Sequence, residues 1–315
     1  MVKHCVLLLA LAAAHSADAA ASKAHARTES DRYAAWAAQA AQVLGARADA
    51  NSLATAAALT VIGSRLKVDP SRSELAALDL AARASELAPQ NSAIGWLRLQ
   101  LCALAPACDM RDTATVMRWV DPDNAAAWLP TLAVAQRDKD MTEVDRVLAD
   151  MAREPHFDFY WNRIVVFMFD ALDAARNESS GGYAGSDSAR YAAVIGIAGG
   201  EVIPPFAPLV DACRESAAYP ERRDLCLRLS KTMQRGDTIV AQLMGFGIER
   251  RLLAPDSKEV RAIAERRRVL EWRVETAAKF DSALLMLLAD PMRLIDAVPL
   301  PVAVRPVVLA SWSVP

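Results

Sequence analysis

Apolar positions along this chain recur at steps of three and four, the repeat of a helix that buries one face. Tyr33, Trp36, Ala37, Ala40, Val43 and Leu44 set out the first such stretch, over residues 29–44. The pattern returns over 52–67 and stops before Asp69-Pro70. It resumes after Ser71-x-x-Glu74, which has the form of a capping box, each side chain satisfying a free amide at a helix start, and that helix is expected to reach Pro89. Further helices are expected at 92–105, 110–120, 124–137 and 141–153. Asp109 with Asp112, and Asp140 with Glu143, put acid in first turns, where the helix dipole favours it. Connections this short make consecutive helices antiparallel neighbours.

A glycine- and serine-rich stretch with almost no apolar residues, 177–188, interrupts the pattern and is expected to be a flexible loop. Helices resume at 189–198 and near 206–217, 221–234, 237–253 and 256–289. Gly236 is expected to end one of them and Asp237 to cap the next; Asp256-x-x-Glu259 opens the last. That last helix carries Val260, Ile263, Leu270, Val274, Ala277, Leu284 and Leu288 on one stripe, which Arg267 and Asp281 interrupt. After Pro291 the chain is apolar and punctuated by Pro299, Pro301 and Pro306, so no membrane helix fits there and an extended tail over 291–315 is expected. The fold class is therefore all-α, with a repeat region over 22–176, the loop over 177–188, a second helical region over 189–290 and the tail.

Within the first region the pattern repeats. Pro89, Pro122 and Pro155 lie 33 residues apart, and each is followed by a helical stretch with an early tryptophan: Trp96, Trp128 and Trp161. Trp128 and Trp161 each follow their proline by six residues, and Val144, Leu148 and Met151 share one helical face. Over residues 52–170 this resembles the tetratricopeptide repeat, a stack of helical hairpins. Leu132 and Val165 stand where that family places a small residue, Trp96 is one position out of step, and no second helix is recognisable after Trp161. The resemblance implies an α-solenoid whose first helices line a concave face, and so nominates Arg98, Thr131, Gln136 and Arg163 as partner contacts.

The N-terminus changes the compartment. Lys3, the apolar run Cys5–Ala14, and small residues around Ala17-Asp18-Ala19 and Ala19-Ala20-Ala21 read as a secretory signal peptide over 1–21. The run is too short to span a bilayer. Cys5 opens it rather than following it, so no lipid anchor is expected. The remainder then carries Cys102, Cys108, Cys213 and Cys226. An even number in an exported chain implies two disulfides. Three pairings are open; the local one, Cys102–Cys108 with Cys213–Cys226, closes only short loops. The excess of alanine, and of arginine over lysine, points to a GC-rich bacterial genome. A net charge of −2 gives no field for nucleic acid or anionic membrane.

Candidate chemistry is sparse. Beyond the leader the histidines are His25, near the new N-terminus, and His156, expected at a helix start beside Phe157, Phe159, Tyr160 and Trp161. A catalytic His156 would pair with Asp158 or a remote serine, but no nucleophile elbow is present. Asp138, Asp140, Glu143 and Asp145 lack the glycine and distal glutamate of a calcium loop. Gly181-Gly182 and Gly199-Gly200 are not followed by a phosphate-loop lysine. Arg250, Arg251, Arg261, Arg266, Arg267, Arg268 and Arg273 share their helices with Glu249, Glu259, Glu265, Glu271 and Glu275, so pairs such as Arg261–Glu265 and Arg267–Glu271 are expected rather than a free basic face. No cofactor or metal is called for. The chain is expected to be a non-catalytic scaffold, periplasmic or secreted, that binds a protein or peptide and keeps no integral membrane segment once mature. The alternatives are an envelope enzyme with paired carboxylates and an immunity-type inhibitor of a secreted toxin.

Overall fold

A computed structural model describes residues 31, 33–65, 70–106, 108–176, 194–200, 202–215 and 219–289. The leader over 1–21, the loop over 177–188 and the tail over 291–315 lie outside the described residues. All regular elements among those residues are helical. They are α1 (33–45), α2 (Ala50–Arg65), α3 (Pro70–Leu87), α4 (Ser92–Leu104), α5 (Met110–Val120), a 3-10 turn (Ala125–Trp128), α6 (Leu129–Arg137), α7 (Met141–Met151) and α8 (Trp161–Ala174). They continue as α9 (194–200), α10 (Ala207–Glu215), α11 (Pro220–Met233), α12 (Ile239–Leu252) and α13 (Lys258–Ala289). None is long and apolar enough to cross a membrane.

The expected helix positions hold to within a few residues, but the starts of α3 and α13 differ in detail. Ser71 lies inside α3, which opens at Pro70, so Ser71 and Glu74 do not bracket a helix start. Asp112 and Glu143 lie in first turns as expected, while Asp109 and Asp140 stand just outside their helices as N-caps, accepting from the Arg111 and Asp112 amides and from the Glu143 amide. At α13 the cap is Ser257, whose hydroxyl accepts from the Val260 amide, not Asp256. The turn between α6 and α7 places Lys139 in the left-handed region, with Asp140 N–H on Ala135 O and Lys139 N–H on Gln136 O. This crossed pair of bonds is the usual way a helix C-terminus is closed, with lysine in the position that favours glycine.

α2 is apolar on every side: Leu53, Ala54, Ala56, Ala57, Ala58 and Leu59 are all buried. A helix with no polar face belongs in the interior, and α2 packs against α3, α4 and α8. Neighbours in sequence pack on one another, α2 on α3, α3 on α4, α4 on α5 and α6 on α7. α8 then turns inward and packs mainly against α2 and α4, while α10 packs on α6 and α11 on α7. One contiguous apolar core runs from Trp36 through Val144, Leu148 and Met151 to Leu209, Cys226 and Leu252. Both sides of the 177–188 break therefore contribute to the same core.

The two disulfides form as the local pairing, Cys102–Cys108 and Cys213–Cys226, with Cα separations of 5.3 and 5.7 Å. The tryptophans differ in depth. Trp96, out of step in the repeat, is wholly buried and donates its indole N–H to Val202 O at 2.9 Å. Trp128 and Trp161 are only half-buried. α13 rests on α12 through a small satellite of Phe246, Ile263 and Leu270; Trp272 is 63% exposed.

Candidate functional site

The segment between α7 and α8 gathers the polar side chains that the aromatic run had drawn attention to. His156 is not at a helix start. It lies in a non-helical stretch that precedes α8 by several residues and pairs its backbone with Asn124 in an isolated bridge. Its Nε2 lies 3.1 Å from Asp121 Oδ2, so its carboxylate partner is Asp121 and not Asp158. The Tyr160 hydroxyl donates to the same Asp121 oxygen. Asn124, wholly buried, donates to Asp158 O at 2.9 Å and to the Tyr160 hydroxyl at 3.0 Å, and accepts from the Ala126 and Asp158 amides. Tyr160 takes φ 56°, ψ 26°, a left-handed conformation that costs a non-glycine residue energy. The bonds on its hydroxyl and its seat beside Trp96 hold it there.

Asp237 reaches this segment from the turn between α11 and α12. It is not the cap of α12: that is Thr238, whose hydroxyl accepts from Ala241 N–H. Asp237 instead accepts the Phe159 amide at 2.9 Å on Oδ1 and the Trp161 amide at 3.2 Å on Oδ2. Burial, opposed by these bonds and reinforced by nearby Asp158, pushes its carboxyl up to about 7. Burial raises Asp158 as well. Gly236 makes the approach possible, because a Cβ there would stand 2.6 Å from Phe157 O. Both Asp237 oxygens are engaged by backbone, so this acid fixes chain position rather than waiting on a substrate.

The four nominated contact residues differ in their settings. Gln136 donates to Pro208 O at 2.7 Å and ties α6 to the start of α10. Arg98 is half-buried on α4. Arg163 is exposed, its guanidinium 5.8 Å from the Tyr160 ring. Thr131 accepts from Arg118 Nη1 at 3.0 Å. The first helices of the array are thus covered in part from inside the chain, α4 by α8 and α6 by α10. The acidic run is divided among protein partners: Asp138 with Arg111 and Arg137, Asp140 as a cap, Glu143 with Arg146, and Asp145 with Arg222. On α13, Arg267–Glu271 pair at 2.7 Å as expected, whereas Glu265 pairs with Arg268, and Arg261 donates to Asp256 O.

What the sequence pattern missed is the outer face of α5. Val116 is 49% and Trp119 69% exposed, one turn apart. Beside them Arg118 lies over the Trp128 ring, 4.4 Å from its centre, with Arg146 of α7 at 5.7 Å from the same ring. An exposed tryptophan in a helix that buries Thr113, Ala114 and Met117 on its other side was visible as a break in the three-and-four step. Set against known protein families, characterised proteins and solved structures, the chain matches none of them.

Proposed function

We propose that this chain is an exported helical scaffold of the bacterial envelope, its α2–α7 hairpins arranged in the manner of tetratricopeptide repeats, that holds a protein or peptide partner. The observation that carries the reading is Trp119. A tryptophan 69% exposed, with Val116 at 49% on the next turn, is the composition of a binding hot spot. Two disulfides fit an oxidising compartment, and with it the leader-like N-terminus. An enzyme with paired carboxylates is less well supported, since the most perturbed acid, Asp237, uses both oxygens to hold backbone amides.

The test is a photo-crosslinking residue placed at Trp119 in the native host, with a second at exposed Leu75 of α3 as control. A discrete adduct from position 119 alone supports the reading. Equal adducts from both positions, or none from either, overturn it. Sequencing the mature N-terminus tests export; a start between Ala20 and Lys23 is expected, and a chain still beginning at Met1 sinks it.

A further inference from the structure

α5 turns a stripe to solvent that is acidic at one end and apolar at the other. Asp109, Asp112, Val116 and Trp119 follow at steps of three, four and three, and all four are exposed. At about 100° per residue, Asp112, Val116 and Trp119 fall within about 60° of one another around the axis. Asp109, the N-cap, stands at the head of the same stripe. Buried Ala114 and Met117 lie on the opposite side of the helix. From Asp112 to Trp119 the stripe runs about 10 Å, the span of roughly three extended residues.

Neither carboxylate has a cation within ion-pair distance among the described residues. Asp109 Oδ1 accepts the Arg111 and Asp112 amides, which are uncharged. The cations of α5 are engaged elsewhere. Arg111 pairs with Asp138 at 3.3 Å, and Arg118 lies over the Trp128 ring and donates to the Thr131 and Thr115 hydroxyls. Both leave the helix about a quarter turn from Trp119, on the side of α6. The partial positive charge at the α5 N-terminus, about half a unit, offsets only about a quarter of the two carboxylates.

We propose that this stripe takes a segment of the partner in which a lysine or arginine has apolar neighbours, the cation on Asp112 and Asp109 and the apolar residues over Val116 and Trp119. The inference rests on the scaffold reading above and names the chemistry of its partner. The carboxylates select a basic segment over an acidic one and turn away an anionic lipid surface. Val116 and Trp119 select a peptide over a free inorganic cation, which would leave them uncovered.

The experiment is selection of a displayed random-peptide library on the purified full chain. Wild-type protein should enrich sequences with Lys or Arg beside an aliphatic or aromatic residue. The best of these, synthesised, should bind Trp119→Ala at least about thirtyfold more weakly, the loss of a hot-spot aromatic. It should bind Asp112→Asn about fivefold more weakly, the upper range for an exposed ion pair, and should weaken as salt rises. Both positions are exposed, so neither change threatens the fold. An analogue with glutamine for the cation should lose affinity on wild-type protein and much less on Asp112→Asn, as a direct pair requires. Enriched peptides that need Trp119 but carry no cation, or whose cation contributes equally on both proteins, overturn the inference and leave the scaffold reading standing. Peptides indifferent to Trp119→Ala, or no enrichment on folded wild-type protein, overturn both.

Discussion

The carboxylate of Asp237 accepts the backbone N–H of Trp161 at 3.2 Å from 76 positions further along the chain. α8 opens with Tyr160 in a left-handed conformation and has no side-chain cap of its own. Asp237 provides that cap from a distance, and with its other oxygen holds Phe159. The start of α8 and the turn between α11 and α12 are fastened together by one residue, and Gly236 and Gln242 shape the turn around it.

Asp237→Asn keeps one acceptor and turns an amide N–H₂ toward a backbone N–H. It should destabilise by about 1–3 kcal/mol at acid pH, the cost of an unmatched buried donor. The pH dependence has a definite sign. Burial raises the folded carboxyl from 3.8 to about 7, so the fold prefers the protonated acid. The penalty for ionising it is absent below the unfolded value, builds as pH climbs between the two and is complete above about 7. Asparagine escapes that penalty. The gap in melting temperature between wild type and Asp237→Asn should therefore narrow as pH rises from acid to neutral; a gap that widens would contradict the burial assigned to Asp237.

Trp96 of α4 and Trp128 of the 3-10 turn before α6 should respond differently to phenylalanine. Trp96→Phe deletes the bond to Val202 O and leaves a buried carbonyl unpaired, at about 1–3 kcal/mol. The Trp128 indole N–H is buried without a partner, and its ring is half-buried between two guanidiniums. Trp128→Phe removes an unmatched donor and should cost under about 1 kcal/mol. Urea melts of the two variants decide the order.

The difference between those tryptophans marks what the sequence could reveal. Periodicity located Val144, Leu148 and Met151 in the core, because a helix facing a neighbour repeats its apolar residues at its own pitch. The 33-residue step carried no information on depth: of the three tryptophans it picked out, Trp96, out of phase, is the most buried. Asp237 was legible only as a local cap. Thr238 took that place, being extended and adjacent to Ile239, which freed Asp237 for amides 76 and 78 positions away. His156–Asp121 and Asn124–Tyr160 were hidden for the same reason: contacts between distant segments carry no period.

Cys213–Cys226 joins α10 to α11 and closes the longer loop, 13 positions against 6 for Cys102–Cys108. The chain-entropy model assigns about 3 kcal/mol to the first and about 2 kcal/mol to the second. Replacing Cys213 and Cys226 by serine should lower the melting temperature more than replacing Cys102 and Cys108. Neither pair of changes should abolish the helical circular dichroism, since the core they border is continuous.

Asp138 and Asp145, seven positions apart in one acidic run, should differ sharply. Asp138 pairs with Arg111 and Arg137 at 3.3 Å, all three largely exposed, a geometry worth at most about 1 kcal/mol in water. Asp145 grips Arg222 through both oxygens, Nε at 2.5 Å and Nη2 at 2.9 Å, and the Arg222 side chain is only 6% exposed. This contact fastens α7 to α11, one of the joints between the two helical regions. Removing the carboxylate takes both of these bonds from a guanidinium that is almost wholly buried, where their loss costs more than it would at the surface. Asp145→Asn should thus destabilise by about 1–3 kcal/mol, whereas Asp138→Asn should stay within about 1 kcal/mol of wild type. Arg222→Met should be milder than Asp145→Asn, because it removes the buried charge along with the bond and fills the space with apolar atoms. Chemical denaturation of the three variants tests the order; equal losses for Asp138→Asn and Asp145→Asn would mean that the α7–α11 joint does not depend on this pair.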